Sequence, residues 1–349
     1  MAVLLLPACS GQQSPQQLIS RFQQHCGPSL TYLRPMWSPD GQQIAFYSDY
    51  SESRLYVMNT NGQVVLSQDI DSPGGGGTGW PVWSPDGKQL AIVLHHRLAV
   101  INRDGTGLTQ LIASSSSESD SGPSWSPDGQ QILFVAFGGN HHRSIHVINV
   151  DGTERKQLAE SNTNTWVWAV WSPDGTRILF KLVDDAGLEM VAVVNRDGSE
   201  LTRLTPATKY YNGAVWSPDG KRIAYSYGTS GGTSNIFLMD PDGANVVQLT
   251  SYTVDSAAEP DWSPDGTQIS FGLTGMHTPP AVAVMNSSGR NITQLTHTWD
   301  GESSWSPDSK QLAYSGNTST DIYVMDASGG NVRQLTHNPY NQACFHWPF

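Results

Sequence analysis

The chain has 349 residues, a formal net charge of −12 and only 14% charged residues. That length suits one large domain with a substantial core. The acidic balance, without a basic footprint, argues against a nucleic-acid partner, and the wealth of Gly, Ser, Thr, Asn and Trp suits an all-β protein.

In chain order, the first element is an apolar run ending Leu6-Pro7-Ala8-Cys9. It resembles a bacterial lipobox, which makes Cys9 the candidate lipidated residue. No Lys or Arg precedes the run, and it is short for a signal segment. A truncated secretory signal, an apolar chain end or a start placed too far downstream are the competing readings. Nothing later is apolar for long enough to span a bilayer, so a lipid on Cys9 would be the only membrane attachment. The Gln-rich stretch that follows reads as a tether. The expected division is 1–9 signal-like, 10–33 tether, 34–337 repeat domain and 338–349 C-terminal segment.

From Trp37 onward one tetrapeptide, Trp-Ser-Pro-Asp, recurs seven times, beginning at Trp37, Trp83, Trp125, Trp171, Trp216, Trp262 and Trp305. The intervals are 46, 42, 46, 45, 46 and 43 residues; Gly follows in six copies and Ser309 in the seventh. Within each repeat a strand leads into Trp (A), and a strand of alternating apolar residues follows the turn (B; Ile44/Phe46, Ile223/Tyr225). A third strand ends near an Asx-Gly or Ser-Gly turn (C), and a short one closes the unit (D), on Gln-Leu in five of the seven. Pro presets φ, Asp caps its own turn and Gly accepts positive φ. Four-stranded units of this period bury both faces only when arranged around an axis, so the expected fold is all-β, a seven-bladed β-propeller of four-stranded antiparallel blades. Phe345-His346-Trp347-Pro348 falls in register with a further strand A and is expected at the ring seam.

The Trp-Ser-Pro-Asp-Gly unit, its "IYVMN"-like strand and its "QLT" ending resemble the TolB-type, WD-like propeller repeat across about residues 34–337. The resemblance implies an exported propeller. It departs from the Tol component itself, which is similar to an α/β domain followed by six blades, whereas seven motifs stand here behind a short leader.

Function is expected on the irregular face. The A–B and C–D turns share one face and repeat, so Asp40 and its six equivalents are read as turn residues and the motif Trp residues as packing. The D–A and B–C loops share the other face. Their aromatics, Trp80, Trp166, Trp168, Tyr210, Tyr211, Tyr252, Trp299 and Tyr340, are the candidate ligand-binding rim; padding between blades is the competing reading. Asp69, Asp71, Asp120, Asp255, Glu259, Asp300 and Glu302 share that rim. His95-His96, His141-His142 and His277 lack metal-site spacing, and no nucleophile elbow appears, so no metal, cofactor or catalytic residue is expected. In an exported chain Cys26 and Cys344 permit a disulfide. The expectation is a lipid-anchored, extracytoplasmic monomer that binds an envelope protein segment or a polysaccharide. The alternative is a polysaccharide lyase or hydrolase working at the channel mouth.

Overall fold

A computed structural model describes residues 31–49, 54–70, 80–113, 118–138, 142–162, 168–208, 210–228, 233–275, 280–297, 303–316 and 321–337. These residues form seven four-stranded antiparallel sheets, each made of four consecutive strands, and contain no helix. Blade 1 comprises Thr31–Trp37, Gln43–Asp49, Arg54–Asn59 and Val64–Asp69, so the first strand begins three residues ahead of the expected boundary. Blades 2 to 7 follow at 82–110, 119–162, 169–203, 211–248, 255–294 and 303–334.

Strand B is apolar at alternate positions in every blade, and strands B and C are buried on both sides. Both faces of each sheet are therefore covered by neighbouring blades, while strand D is mostly exposed and forms the outer edge. Seven apolar clusters fill the seven junctions between blades. The cluster at the seam sets Trp37, Ile44 and Phe46 of blade 1 on Ala313, Ile322 and Val324 of blade 7, so the ring closes. Each fully buried Ile or Phe in these layers contributes about 1.5–3 kcal/mol.

Strands A are innermost, and the motif Trp ties them together. The Nε1–H of Trp83, Trp125 and Trp171 donates to the strand A carbonyl just before the Trp of the preceding blade, at 3.0, 2.9 and 3.2 Å. Strand A pairs irregularly with strand B in blades 1, 3, 5 and 6; in blades 3, 5 and 6 the shifts coincide with positive φ at Gly122, Gly213 and Glu259. Such bulges re-aim side chains along the inner wall of the ring.

Candidate functional site

The turn face satisfies itself. In each of the seven copies the Ser hydroxyl donates to the Asp carboxylate at 2.5–2.7 Å. The same hydroxyl accepts the N–H of the residue five positions on, at the start of strand B, at 2.9 Å. A backbone N–H two residues past Asp closes the turn on its carboxylate, as Gln42 does on Asp40 at 3.0 Å. Pro packs on the next turn: a methyl placed on Gly41, which holds φ +68°, would lie 3.7 Å from Pro307 of blade 7. The Ser and Asp side chains of the motif are thus consumed by the fold, whereas the buried indole N–H groups of Trp37, Trp216 and Trp262 have no acceptor among the described residues.

Two arginines lock neighbouring turns. Arg103, from the C–D turn of blade 2, reaches Asp40 at 2.9 Å and Gln43 at 2.7 Å in blade 1 and lies over Trp83. Arg196 repeats this from blade 4 to Asp128 and Gln131 of blade 3, over Trp171. Both contacts place the A–B and C–D turns on one face, as the topology requires. Burial alone would raise the Asp40 and Asp128 carboxyls; the Ser hydroxyls, backbone N–H groups and arginines outweigh it and hold both at about 2. A groove of about 1010 Å³ between blades 3 and 4 on this face mixes Arg155, Lys156 and Arg196 with Glu154, Asp174 and Asp197. Its charges are largely matched, so it selects no ligand charge.

The irregular face is where the repeat breaks. Of the rim aromatics, Tyr210 is 37% exposed and Trp80 is half-buried. Tyr211 is buried with its hydroxyl donating to the Pro206 carbonyl at 3.1 Å. Trp168 packs into the junction of blades 4 and 5, and Tyr252 into that of blades 5 and 6. The structure thus joins Trp168, Tyr210 and Tyr211 in one sector and sets Trp80 and Tyr252 in others. Trp166, Trp299, Tyr340, Cys9, Cys26, Cys344, His141 and His277 lie outside the described residues, as do Asp71, Asp300 and Glu302.

Among the acidic rim residues, Asp69 pairs with Arg54 at 2.7 Å. Glu259 is exposed on the inner strand at φ +52° and Asp255 is partly exposed. Asp120 is fully buried and contacts Arg97 at 3.4 Å. Its carboxylate accepts the Leu98 N–H at 3.0 Å, and burial pushes its carboxyl up despite both contacts. His95 and His96 form the two-residue B–C turn of blade 2, both at positive φ. Such turns favour Asn-Gly, and non-Gly residues held there are costly. Among the described residues no group of three or more His, Cys, Asp or Glu converges on a metal position.

A further feature of this face is a buried ion pair, Lys181 Nζ to Glu189 Oε1 at 3.1 Å, in blade 4. Its only trace in the sequence is a lysine at a strand B position where the other blades carry Tyr, Val, Ser or Gly.

A model of the TolB beta propeller domain matches residues 23–140 and 81–272. Similar solved structures include an oligogalacturonate lyase from Vibrio parahaemolyticus, with a TM-score of 0.67 and 13% identity, covering 84% of this chain and 90% of that one. TolB from Acinetobacter baumannii follows at 0.55 and 18%, covering 87% and 81%. The β-propeller domain of the Trilobed protease from Pyrococcus furiosus, described as having an open velcro topology, gives 0.65 and 13%, covering 89% and 99%. At these identities the likeness concerns the fold. No curated protein matches the sequence.

Proposed function

The chain belongs to the TolB beta propeller domain family, and from that premise we propose that it is an exported, lipid-anchored binding module of the bacterial cell envelope. It takes a protein segment or a polysaccharide on its irregular face, without catalysis. The observation that carries this reading is the contrast between faces. The turn face spends the Ser and Asp side chains of all seven motif copies on the ring, while the other face departs from the repeat at Trp80, Trp168, Lys181, Glu189, Tyr210 and Glu259. Residues not needed by a repeated scaffold are the ones free to serve a ligand. Cys9 carries the lipid in this reading, and Cys26 and Cys344 form a bond that fastens the two ends.

The test is capture from envelope extract by the protein from Gln12 onward, beside a partner variant with Ala at Trp80, Trp168, Tyr210 and Tyr252. Capture by the first alone supports the reading; equal capture by both overturns it. Palmitate labelling abolished by Cys9→Ala tests the anchor, and a Cys26–Cys344 peptide in a non-reducing digest tests the bond.

A second reading, a polysaccharide lyase or hydrolase at the channel mouth, draws on the strained His95-His96 turn. Strain of this kind gathers at functional sites, and the similar Vibrio parahaemolyticus structure is an oligogalacturonate lyase. Turnover of uronate oligomers that is lost on His95→Ala or His96→Ala would favour it over the binding module.

A further inference from the structure

On the turn face one station repeats at every junction. It is made of the motif Asp of one blade, the motif Trp of the next, and the residue two places before the C–D turn Gly of that next blade. Arg103 and Arg196 fill it in blades 2 and 4, each over the Trp ring and on Oδ2 of the preceding Asp. Between blades 4 and 5 the Arg177 guanidinium lies over Trp216 at 4.9 Å. Val150 and Ala327 join the apolar clusters at their junctions, and at the seam Arg333 donates to the Thr60 carbonyl. Ser287 of blade 6 is the exception. Its N–H donates to the Thr267 carbonyl at 2.9 Å, as those of Arg103 and Arg196 do to Lys88 and Thr176 at 2.9 and 2.8 Å, so the three backbones are held alike. The Ser287 side chain stops at a hydroxyl, and a groove of about 720 Å³ lies there between blades 5 and 6, with Asp219 and Trp262 in its wall.

The wall offers what a guanidinium needs. Asp219 is exposed, and its Oδ1 is held by the Ser217 hydroxyl and the Lys221 N–H at 2.6 and 3.1 Å. Oδ2, the atom that takes the arginines in blades 1 and 3, meets the Lys221 ammonium at 3.6 Å, a surface contact that a closer partner can displace. Trp262 is 8% exposed, against 6% and 7% for Trp83 and Trp171, which carry an arginine on their rings. Arg222, where blades 1 and 3 have Gln43 and Gln131, pairs with Asp240 at 3.3 Å, so its charge is matched. Asp265 also lines the groove and has no ion-pair partner among the described residues, while Pro218 and Val247 expose apolar surface.

We propose that this groove is a docking pocket for an arginine side chain of a partner protein segment, a site on the opposite face from the rim of the binding-module reading and independent of it. The planar guanidinium stacks on an indole and meets a carboxylate with paired N–H groups, as Arg103 and Arg196 do within the chain itself. An ammonium lacks that fork. An anion would face Asp219 and Asp265 and find Arg222 already paired. Free arginine carries an α-carboxylate that those two acids repel, so the residue is favoured within a peptide, its methylenes along Pro218 and Val247.

NMR titration of the full chain tests this, with acetyl-Gly-Arg-Gly-amide as probe and the Trp262 indole N–H resonance as readout. A saturable shift is expected. The peptide with citrulline, of the same shape without the charge, is expected to bind about tenfold more weakly or worse, and the lysine peptide more weakly than the arginine one. Asp219→Asn should weaken the arginine peptide about tenfold. Ser287→Arg, which seats the chain's own guanidinium in the groove, should abolish the shift. Should Ser287→Arg fail to fold, Asp219→Asn decides. Absence of a shift, equal binding of the arginine and citrulline peptides, tighter binding of free arginine than of the capped peptide, or unchanged binding by either variant overturns the inference.

Discussion

Ser309 shows how tightly single residues are bound to the ring. It replaces the motif Gly and holds φ +61°, a conformation costing a non-Gly residue about 1 kcal/mol. Its hydroxyl accepts the Asp265 N–H of blade 6 at 3.0 Å, which offsets that cost. Ser309→Gly removes strain and hydrogen bond together and is expected to change stability by less than about 1 kcal/mol. Ser309→Ala keeps the strain and loses the bond, so denaturant unfolding should show a loss of about 1–2 kcal/mol.

Two sets of carboxyls act on stability with opposite sign. Asp261, on the inner strand of blade 6 where Met, Val or Ser stands elsewhere, has its carboxyl raised to about 7 by burial, against a hydrogen bond from the Trp262 N–H. The folded state therefore holds more protons than the unfolded one between about pH 4 and 7, and stability falls as pH rises through that window. Asp261→Asn should flatten this slope and raise stability above pH 7 by about 1–3 kcal/mol, allowing for partial exposure. Asp40 and Asp128, held at about 2, act the other way: their contribution is present above about pH 4 and is lost as pH falls toward 2. Chemical denaturation from pH 3 to 8, with Asp261→Asn and Asp40→Asn, separates the two slopes.

At the scale of elements, the "QLT" ending is explained by strand C. The Thr hydroxyl accepts an N–H from the second or third strand C residue in blades 4 to 7, as Thr250 does from Ile236 at 2.9 Å. Blade 2 carries Ile112 in that place, and the Asp120 carboxylate from blade 3 takes over the acceptor role for Leu98. Asp120→Ala is expected to cost about 3 kcal/mol or more, because it strips a buried carboxylate from Arg97 as well as from the Leu98 N–H. Ile112→Thr in that background should restore about 1 kcal/mol by returning the local acceptor. Thermal unfolding of the single and double variants checks both values.

This exchange marks the limit of what sequence pattern reveals. Alternation in strand B and the turn tetrapeptide foretell blade number, burial of the motif Trp residues and the shared turn face, because each depends on near neighbours in the chain. Asp120 and Lys181 appear in the sequence only as charges in polar surroundings. Their burial depends on a partner 22 residues distant or on an adjoining blade, for which a period carries no signal. Likewise, whether a D–A loop aromatic faces solvent, as Tyr210 does, or fills a junction, as Trp168 does, depends on how its loop meets the neighbouring blade and not on its type.

Across the whole molecule, seven equivalent junctions leave no place where the ring must begin. Each sheet is complete in consecutive strands, so no strand is exchanged between the first and last blades among the described residues. Among the described residues the seam is closed by side-chain contacts: Trp37, Ile44 and Phe46 on blade 7, the Gly41–Pro307 contact, and Arg333 donating to the Thr60 carbonyl at 3.2 Å. These are the kinds of contact made at the other junctions, where the chain happens to be continuous. A circular permutant opened within 163–167, with a flexible linker from residue 337 to residue 31, is therefore expected to fold. Its melting temperature should lie within about 5 °C of the parent, a difference of about 1–2 kcal/mol. Deleting blade 7 (303–337) leaves the inner faces of blades 6 and 1 uncovered and should abolish cooperative unfolding. A permutant that unfolds with the deletion variant rather than with the parent would mean that the original chain ends carry closure, and that side-chain packing at the seam is not sufficient to hold the ring.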